Sequence, residues 1–476
     1  MLSTRPEPPV KVALVLFNSF PFLYLFLPAV AVGYYAVPRH RLRLALIVVA
    51  SYYFYAYADW WFPALMAGST AISYTAGRLL ENPRLLARRK LVLAFGIAGV
   101  LALLAYYKYT AFVGGYALSF VHVITQQSFP GLHSFVNSIA LPIGISFYTF
   151  EGISYLVDVY RGDLPAERDL LRYAFFISFF PHLIAGPIVR YGILRPQLEQ
   201  KHPFDADRVR SGLMLFTLGL AKKVLLADAL AQWVDHYLAT PGSIGFANAW
   251  ACAVGFGFQI YFDFSAYTDM ALGLARIFGI ELPWNFDRPY RAASPTEFWR
   301  RWHVTLSTWL RDYLYISLGG NRKGERRRDA NLLVTMGLGG LWHGASLNFV
   351  AWGLYHGGLL VGNHHARRAG LRLPRLLAVA LTFLLVVIGW VLFRMHSAGD
   401  IGGVYAGMLG LHGFGGVPGH LLLYVLVSAA LVWGLPEEWR WPVGAWGPLR
   451  VAAVAVLFVV SVASVYTSHP FIYFRF

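Results

Sequence analysis

The sequence predicts an all-α, polytopic membrane protein, and three observations carry that prediction. Of 476 residues, 57% are hydrophobic and 13% are charged, whereas a soluble domain carries about a quarter charged residues. The mean hydropathy is +0.51. Apolar stretches near the roughly 20 residues that a membrane helix needs recur along the whole length. Little is left over for a soluble domain, so residues 1–476 read as one membrane domain.

The elements follow in order. The first apolar stretch, 12–37, exceeds the roughly 7–15 residue core of a signal peptide. It therefore reads as a first transmembrane helix and not as a cleaved leader. Further apolar segments fall at 42–58, 61–80, 91–113, 138–160, 173–189, 211–236, 247–275, 331–346, 347–364, 376–395, 419–435 and 449–466. Segment 173–189 holds Pro181 and Pro187 between basic flanks. It is expected to be re-entrant, because broken backbone at membrane depth must be buried in protein.

The loops 39–43, 84–90, 190–210, 322–328 and 367–375 are basic, while 114–137, 237–247 and 396–418 contain no Lys or Arg. The positive-inside rule places the basic set in the cytoplasm and, on the count of crossings, both termini outside. The same clustering explains the net charge of +16 without nucleic acid as a partner. The single cysteine, Cys252, sits in an apolar run. It excludes an internal disulfide and a cysteine metal site, and it reads as a small buried hydrophobe.

Segment 294–316 has a different pattern. Ser294-Pro295-Thr296-Glu297 has the form of a capping box with Pro at the first helical position. At helical spacing, Arg300, His303, Ser307 and Arg311 form a polar stripe opposite Trp302, Leu306, Trp309 and Tyr313. An amphipathic helix at the cytoplasmic surface, or dipping into a polar cavity, is expected.

His343 lies inside an apolar segment. At about 1.5 Å per residue from Asn331, it sits roughly 18 Å into the membrane, near the middle of a core about 30 Å thick. An ionisable residue at that depth is a functional candidate, and imidazole acts as a general base near neutral pH. Gly339, Gly340 and Gly344 beside it allow close approach. The competing reading is a histidine satisfied by bonds between helices, and depth alone leaves both open. On a continuous helix His356, thirteen residues on, would point away from His343 and support packing. His182 is also read as structural. Glu151, Asp158, Asp263 and Asp269 are carboxylates in apolar runs. They are expected to pair with Arg288, Arg291, Arg300 or tyrosine hydroxyls, or else to form a proton path. There is no phosphate-binding loop, no serine nucleophile elbow and no paired-histidine zinc motif.

Five ordered stretches then become recognisable: "LPIGISFYTFEGISYLVDVYRGDL" (141–164), "FFPHLIAGPIVRY" (179–191), "FQIYFDFSAYTDMALGLARIFGIELPWNFDRPY" (258–290), "FWRRWHVTLSTWLRDYLYISLGGNRKG" (298–324) and "GGLWHGASLNFVAWGLYHG" (339–357). Together they resemble the membrane-bound O-acyltransferase family, in its bacterial branch concerned with alginate O-acetylation. The opening "FNSFPFLYLFLP" (17–28) and closing "FIYFRF" (471–476) are similar to that branch too. The most specific region is 141–360.

The resemblance implies a ring of about 11–12 tilted transmembrane helices around a central tunnel, with re-entrant and interfacial helices. It implies His343 as the principal catalytic residue and His303 as a second. It implies a thioester such as acetyl-coenzyme A, or an acyl carrier protein, as donor substrate, with no bound cofactor and no metal. Arg300, Arg301 and Arg311, with Arg322 and Lys323, are the expected phosphate contacts. Asp269, Asn348 and His356 are further candidate substrate contacts. The implied setting is the bacterial cytoplasmic (inner) membrane, crossed many times, with an extracytoplasmic acetyltransferase as partner. The alternatives are D-alanyl transfer toward teichoic acid and, in another class, a proton-coupled transporter that uses the buried carboxylates.

Overall fold

The computed structural model describes residues 17–127, 129–435, 447–465 and 471–472. The start of the apolar stretch 12–37, the mixed-charge loop Glu437 to Arg440 and the end of the closing motif lie outside the described residues. Among the described residues every regular element is helical, as the composition predicted.

Two helices among them, Pro83–Thr125 and Arg375–Arg394, are long and apolar enough to cross a membrane. The first exposes Phe95, Phe120 and Val123, an apolar face that is stable against lipid and costly against water. Phe22–Ala36, Gly419–Gly434 and Pro448–Ala463 are shorter apolar helices. Phe246–Ile277 is long but carries Asp263 and Asp269.

The described chain groups into two compact units. The first takes in residues up to 107, then 140–213 and 273–282. Here the expected broken element is present. Helices Leu170–Ser178 and Phe180–Leu183 are separated at Phe179, and residues 184–190 are not helical but are almost all buried. Helix Ile145–Arg161 packs Glu151 against this element. Its carboxylate meets His182 Nδ1 at 3.1 Å and accepts from Val189 N at 3.1 Å. Gly144 makes the turn into that helix at φ 83°, and a Cβ there would press on the Leu183 carbonyl. Arg43, from a loop expected to be a topology signal, is buried. It donates to the carbonyls of Val37 and His202.

The second unit takes in 108–139, 214–272 and 283–476. At its centre is a hairpin of helices Glu325–His343 and Leu347–Arg368. The chain reverses at Gly344, Ala345 and Ser346, where Gly344 is fully extended. The two helices approach closely because Gly340 and Gly353 face opposing backbone. A Cβ on Gly340 would collide with the Phe349 carbonyl, and one on Gly353 with that of Met336. Small residues permit such contacts between helices in membranes. The far end of the hairpin is fastened by His365 to Asp329 at 2.8 Å, and by Arg368 to Glu325.

Segment 294–316 is not one amphipathic helix. Ser294 caps helix Pro295–Arg301 as predicted: its hydroxyl accepts from Glu297 N, and the Glu297 carboxylate accepts from Ala293 N. The helix then stops at Trp302, His303 takes left-handed backbone angles, and Val304–Trp309 starts afresh. The expected polar stripe is therefore split, and His303 is buried inside the unit.

The pairing of the carboxylates also differs from expectation. Lys223 Nζ lies 2.6 Å from Asp228 and 2.7 Å from Asp263, and Lys222 Nζ lies 2.7 Å from Asp269. Both lysines sit on a π-helical turn, Lys222–Ala227. Arg291 instead donates to the carbonyls of Val432 and Leu435.

Candidate active site

His343 is the last residue of its helix. The final carbonyls of a helix have no partner within it. Here they are met from helix Arg89–Thr125: Tyr109 donates to Leu341 O at 3.1 Å, and Lys108 donates to Trp342 O and, at 3.5 Å, to His343 O. The imidazole is thus carried on a backbone whose last three carbonyls are all held. Lys108 was legible as a charge inside the apolar stretch 91–113, but sequence reasoning passed it over.

The His343 ring is buried among aromatic side chains. Ring centres lie 4.9 Å away for Trp342, 5.2 Å for Trp352 and 5.4 Å for Phe393. Beside it is a cavity of about 20 Å³ lined by Phe264, Trp302, Trp352, Trp390 and Phe393, with Ile260 and Ile472. That is room for one water molecule.

His303 comes within 6.5 Å of His343, ring centre to ring centre. Its φ of 42° is unusual for a residue with a Cβ. The segment after helix Phe246–Ile277 holds it there. Val304 N donates to Asn285 O at 2.8 Å, and the His303 Nδ1 lies 3.3 Å from Asn285 Oδ1. The edge of Phe264 closes the other side at 4.7 Å. Strained backbone of this kind accumulates at functional sites.

His356 does not point away. The hairpin folds it back so that Trp352 touches both rings, at 5.2 Å from His343 and 5.0 Å from His356. The continuous helix on which His356 would point away does not form, because the three-residue turn separates the two segments. His356 is fully buried, also against Trp299.

The other candidates are placed as follows. Arg300 is exposed. Arg301 pairs with Glu297 at 2.8 Å, Arg311 with Asp312 at 2.6 Å and Asp269 with Lys222. Asn348 is buried and donates to Leu392 O at 3.2 Å. His303 and His343 are therefore brought together, with His356 one tryptophan away. Among the described residues, no group of three His, Cys, Asp or Glu side chains is arranged to hold a metal.

The model of the membrane-bound O-acyltransferase family matches residues 163–391. The "Probable alginate O-acetylase AlgI" of Pseudomonas aeruginosa is 45% identical over 391 residues, covering 80% of this chain and 72% of the relative. The chain belongs to the membrane-bound O-acyltransferase family. The "Peptidoglycan O-acetyltransferase" of Helicobacter pylori is 36% identical over 438 residues, with 85% and 81% covered. The "Teichoic acid D-alanyltransferase" of Bacillus subtilis is more distant, 28% identical over 283 residues, with 56% and 72% covered. This membrane-bound enzyme is an O-acyltransferase, as the ordered motifs led us to expect. His303, His343, His356 and Asn285 all lie within the matched span, and Lys108 precedes it.

Proposed function

We propose that this O-acyltransferase moves acetyl groups from a cytoplasmic thioester, acetyl-coenzyme A or an acyl carrier protein, across the bacterial inner membrane for O-acetylation of an exopolysaccharide or cell-envelope glycan. The observation that carries the reading is the pair of buried histidines, His303 and His343, with ring centres 6.5 Å apart, of which His343 lines a small cavity. It is supported by 45% identity to a relative named as an alginate O-acetylase.

The acceptor hydroxyl oxygen attacks the thioester carbonyl carbon. Its proton passes to a ring nitrogen of His343, acting as general base. The C–S bond then breaks, and the leaving thiolate takes that proton. The acceptor hydroxyl belongs to a carrier that delivers the acetyl ester to an extracytoplasmic acetyltransferase; there a glycan hydroxyl attacks the ester carbonyl, the carrier's C–O bond breaks, and the carrier hydroxyl is released with the proton. The chain crosses the membrane many times around a tunnel that joins its two faces, and Arg300 with Arg322 and Lys323 attracts the donor's phosphates.

Mass spectrometry of envelope polysaccharide from cells with the wild-type enzyme, with His343→Ala and with neither tests the reading. Acetyl esters should be present in the first and absent from the other two, with the variant at wild-type level in the membrane. Full acetylation by His343→Ala would refute the role of His343. Loss of D-alanyl esters, with acetyl esters intact, would refute the assigned cargo.

A further inference from the structure

The hydrogen bonds around Asn285 fix which nitrogen of His303 carries the proton, and this inference deepens the reading of His303 as a site residue. Asn285 is fully buried. Its Oδ1 accepts from the backbone N–H of Thr305 at 3.2 Å and from the Thr305 hydroxyl at 2.5 Å. A backbone N–H can only donate. The atom facing it must therefore be the amide oxygen, which removes the ambiguity that an amide side chain otherwise carries. The same oxygen lies 3.3 Å from His303 Nδ1. Two acceptors cannot face each other, so Nδ1 bears the hydrogen. In the neutral ring Nε2 then carries the lone pair. Nε2 is buried and has no hydrogen-bond partner among the described residues.

The geometry points to Asn285 as a positioning residue that holds His303 in its Nδ1–H form and presents Nε2 to the site as a hydrogen-bond acceptor. Three features act together. Asn285 O accepts from Val304 N, so the same residue fixes the backbone on which the ring sits. The left-handed φ of His303 turns the ring out of the helical direction that its neighbours follow. Phe264, edge-on at 4.7 Å, and Trp342, at 6.2 Å, confine the ring from two further sides. The consequence is chemical. With Nδ1–H committed to Asn285, a neutral His303 cannot donate a hydrogen bond to the thioester carbonyl. It can accept one, from the acceptor hydroxyl or from an N–H of His343. Its part in acyl transfer is to orient or receive a proton, and not to polarise the carbonyl.

The test is nitrogen NMR of the full-length enzyme in lipid, with histidine labelled at Nε2 and the His303 signal identified by its loss in His303→Gln. The same variants are scored for O-acetyl content of envelope polysaccharide at matched membrane levels. Wild type should show an unprotonated, pyridine-like Nε2. Asn285→Leu should bring in a protonated, pyrrole-like Nε2 and lower acetylation by about tenfold or more, the scale on which partners of a functional histidine act. Asn285→Asp keeps an acceptor oxygen, so it should keep both the tautomer and most of the acetylation. It also decides the matter should Asn285→Leu fail to accumulate. A protonated Nε2 in wild type overturns the assignment. So does Asn285→Leu or Asn285→Asp with a tautomer opposite to that expected, or full acetylation in Asn285→Leu. If His303→Gln acetylates normally, the catalytic reading of His303 falls, and the wild-type NMR signal still decides what Asn285 does to the ring.

Discussion

His303 and His343 offer a measurement that separates a working pair from two independent residues. Their rings lie 6.5 Å apart, centre to centre, close enough for the two to act on one bound group. Groups that act as a unit give non-additive losses. His343→Ala should cut the initial rate of acetyl transfer in membrane vesicles by about 10²–10⁴-fold, the usual contribution of a general base. His303→Gln should cost less. The double variant should be no slower than His343→Ala alone. Losses that multiply would show the two histidines serving separate steps. The arginines fit a different description. Arg301 and Arg311 are each paired with a carboxylate next to them in the chain or one helical turn away. Whatever charge they offer a donor is already partly spent on Glu297 and Asp312, and Arg300 is the exposed member of the set.

At the scale of elements, the hairpin shows what the sequence could and could not announce. The burial of His343 was expected from its place in an apolar segment. The turn that follows it was legible in principle, because Gly344 and Ser346 are residues that end and begin helices. The segments 331–346 and 347–364 read apart in the sequence, but the direction of His356 follows there only for a continuous helix, which does not form. The break at His303 had no such signal. Trp302 and His303 are neither glycine nor proline, and the left-handed turn is stabilised by Asn285, eighteen residues away. Tertiary bonds overrode a clean amphipathic pattern. Lys108 is likewise a long-range device, holding carbonyls more than two hundred residues on. Lys108→Met should leave the carbonyls of Trp342 and His343 buried without their donor. That costs about 1–3 kcal/mol of stability, as for a buried polar group left unsatisfied, and it loosens His343. Thermal unfolding in detergent should show the loss, and acetylation should fall in step. Unchanged unfolding and unchanged acetylation would mean that Tyr109 alone holds the helix end.

At the scale of the whole molecule, the buried charges decide whether the carboxylates are a relay or a brace. Lys223 bridges Asp228 and Asp263, and Asp263 also accepts from the backbone N–H of Ile472 at 2.8 Å. The Phe471 ring lies against the Lys223 ammonium at 4.5 Å. Ile472 in turn lines the cavity beside His343. Three stretches separated by up to about 250 residues are thus joined, and residues 471–472 are anchored beside the cavity at His343. Removing one partner from a buried charge network costs about 3–5 kcal/mol because the others are left uncompensated. Lys223→Met strands two carboxylates. Asp263→Asn leaves Lys223 paired with Asp228 and keeps an oxygen for Ile472 N. A brace therefore predicts that Lys223→Met destabilises far more than Asp263→Asn in thermal unfolding, with acetylation following the same order. A proton relay predicts the reverse weighting: Asp263→Asn would abolish activity while the protein melts as wild type, since an amide cannot carry the proton. Measuring melting and acetylation on the same two variants separates these outcomes. The doubly bridged lysine, with the backbone of Ile472 as its third contact through Asp263, is the arrangement expected of a brace.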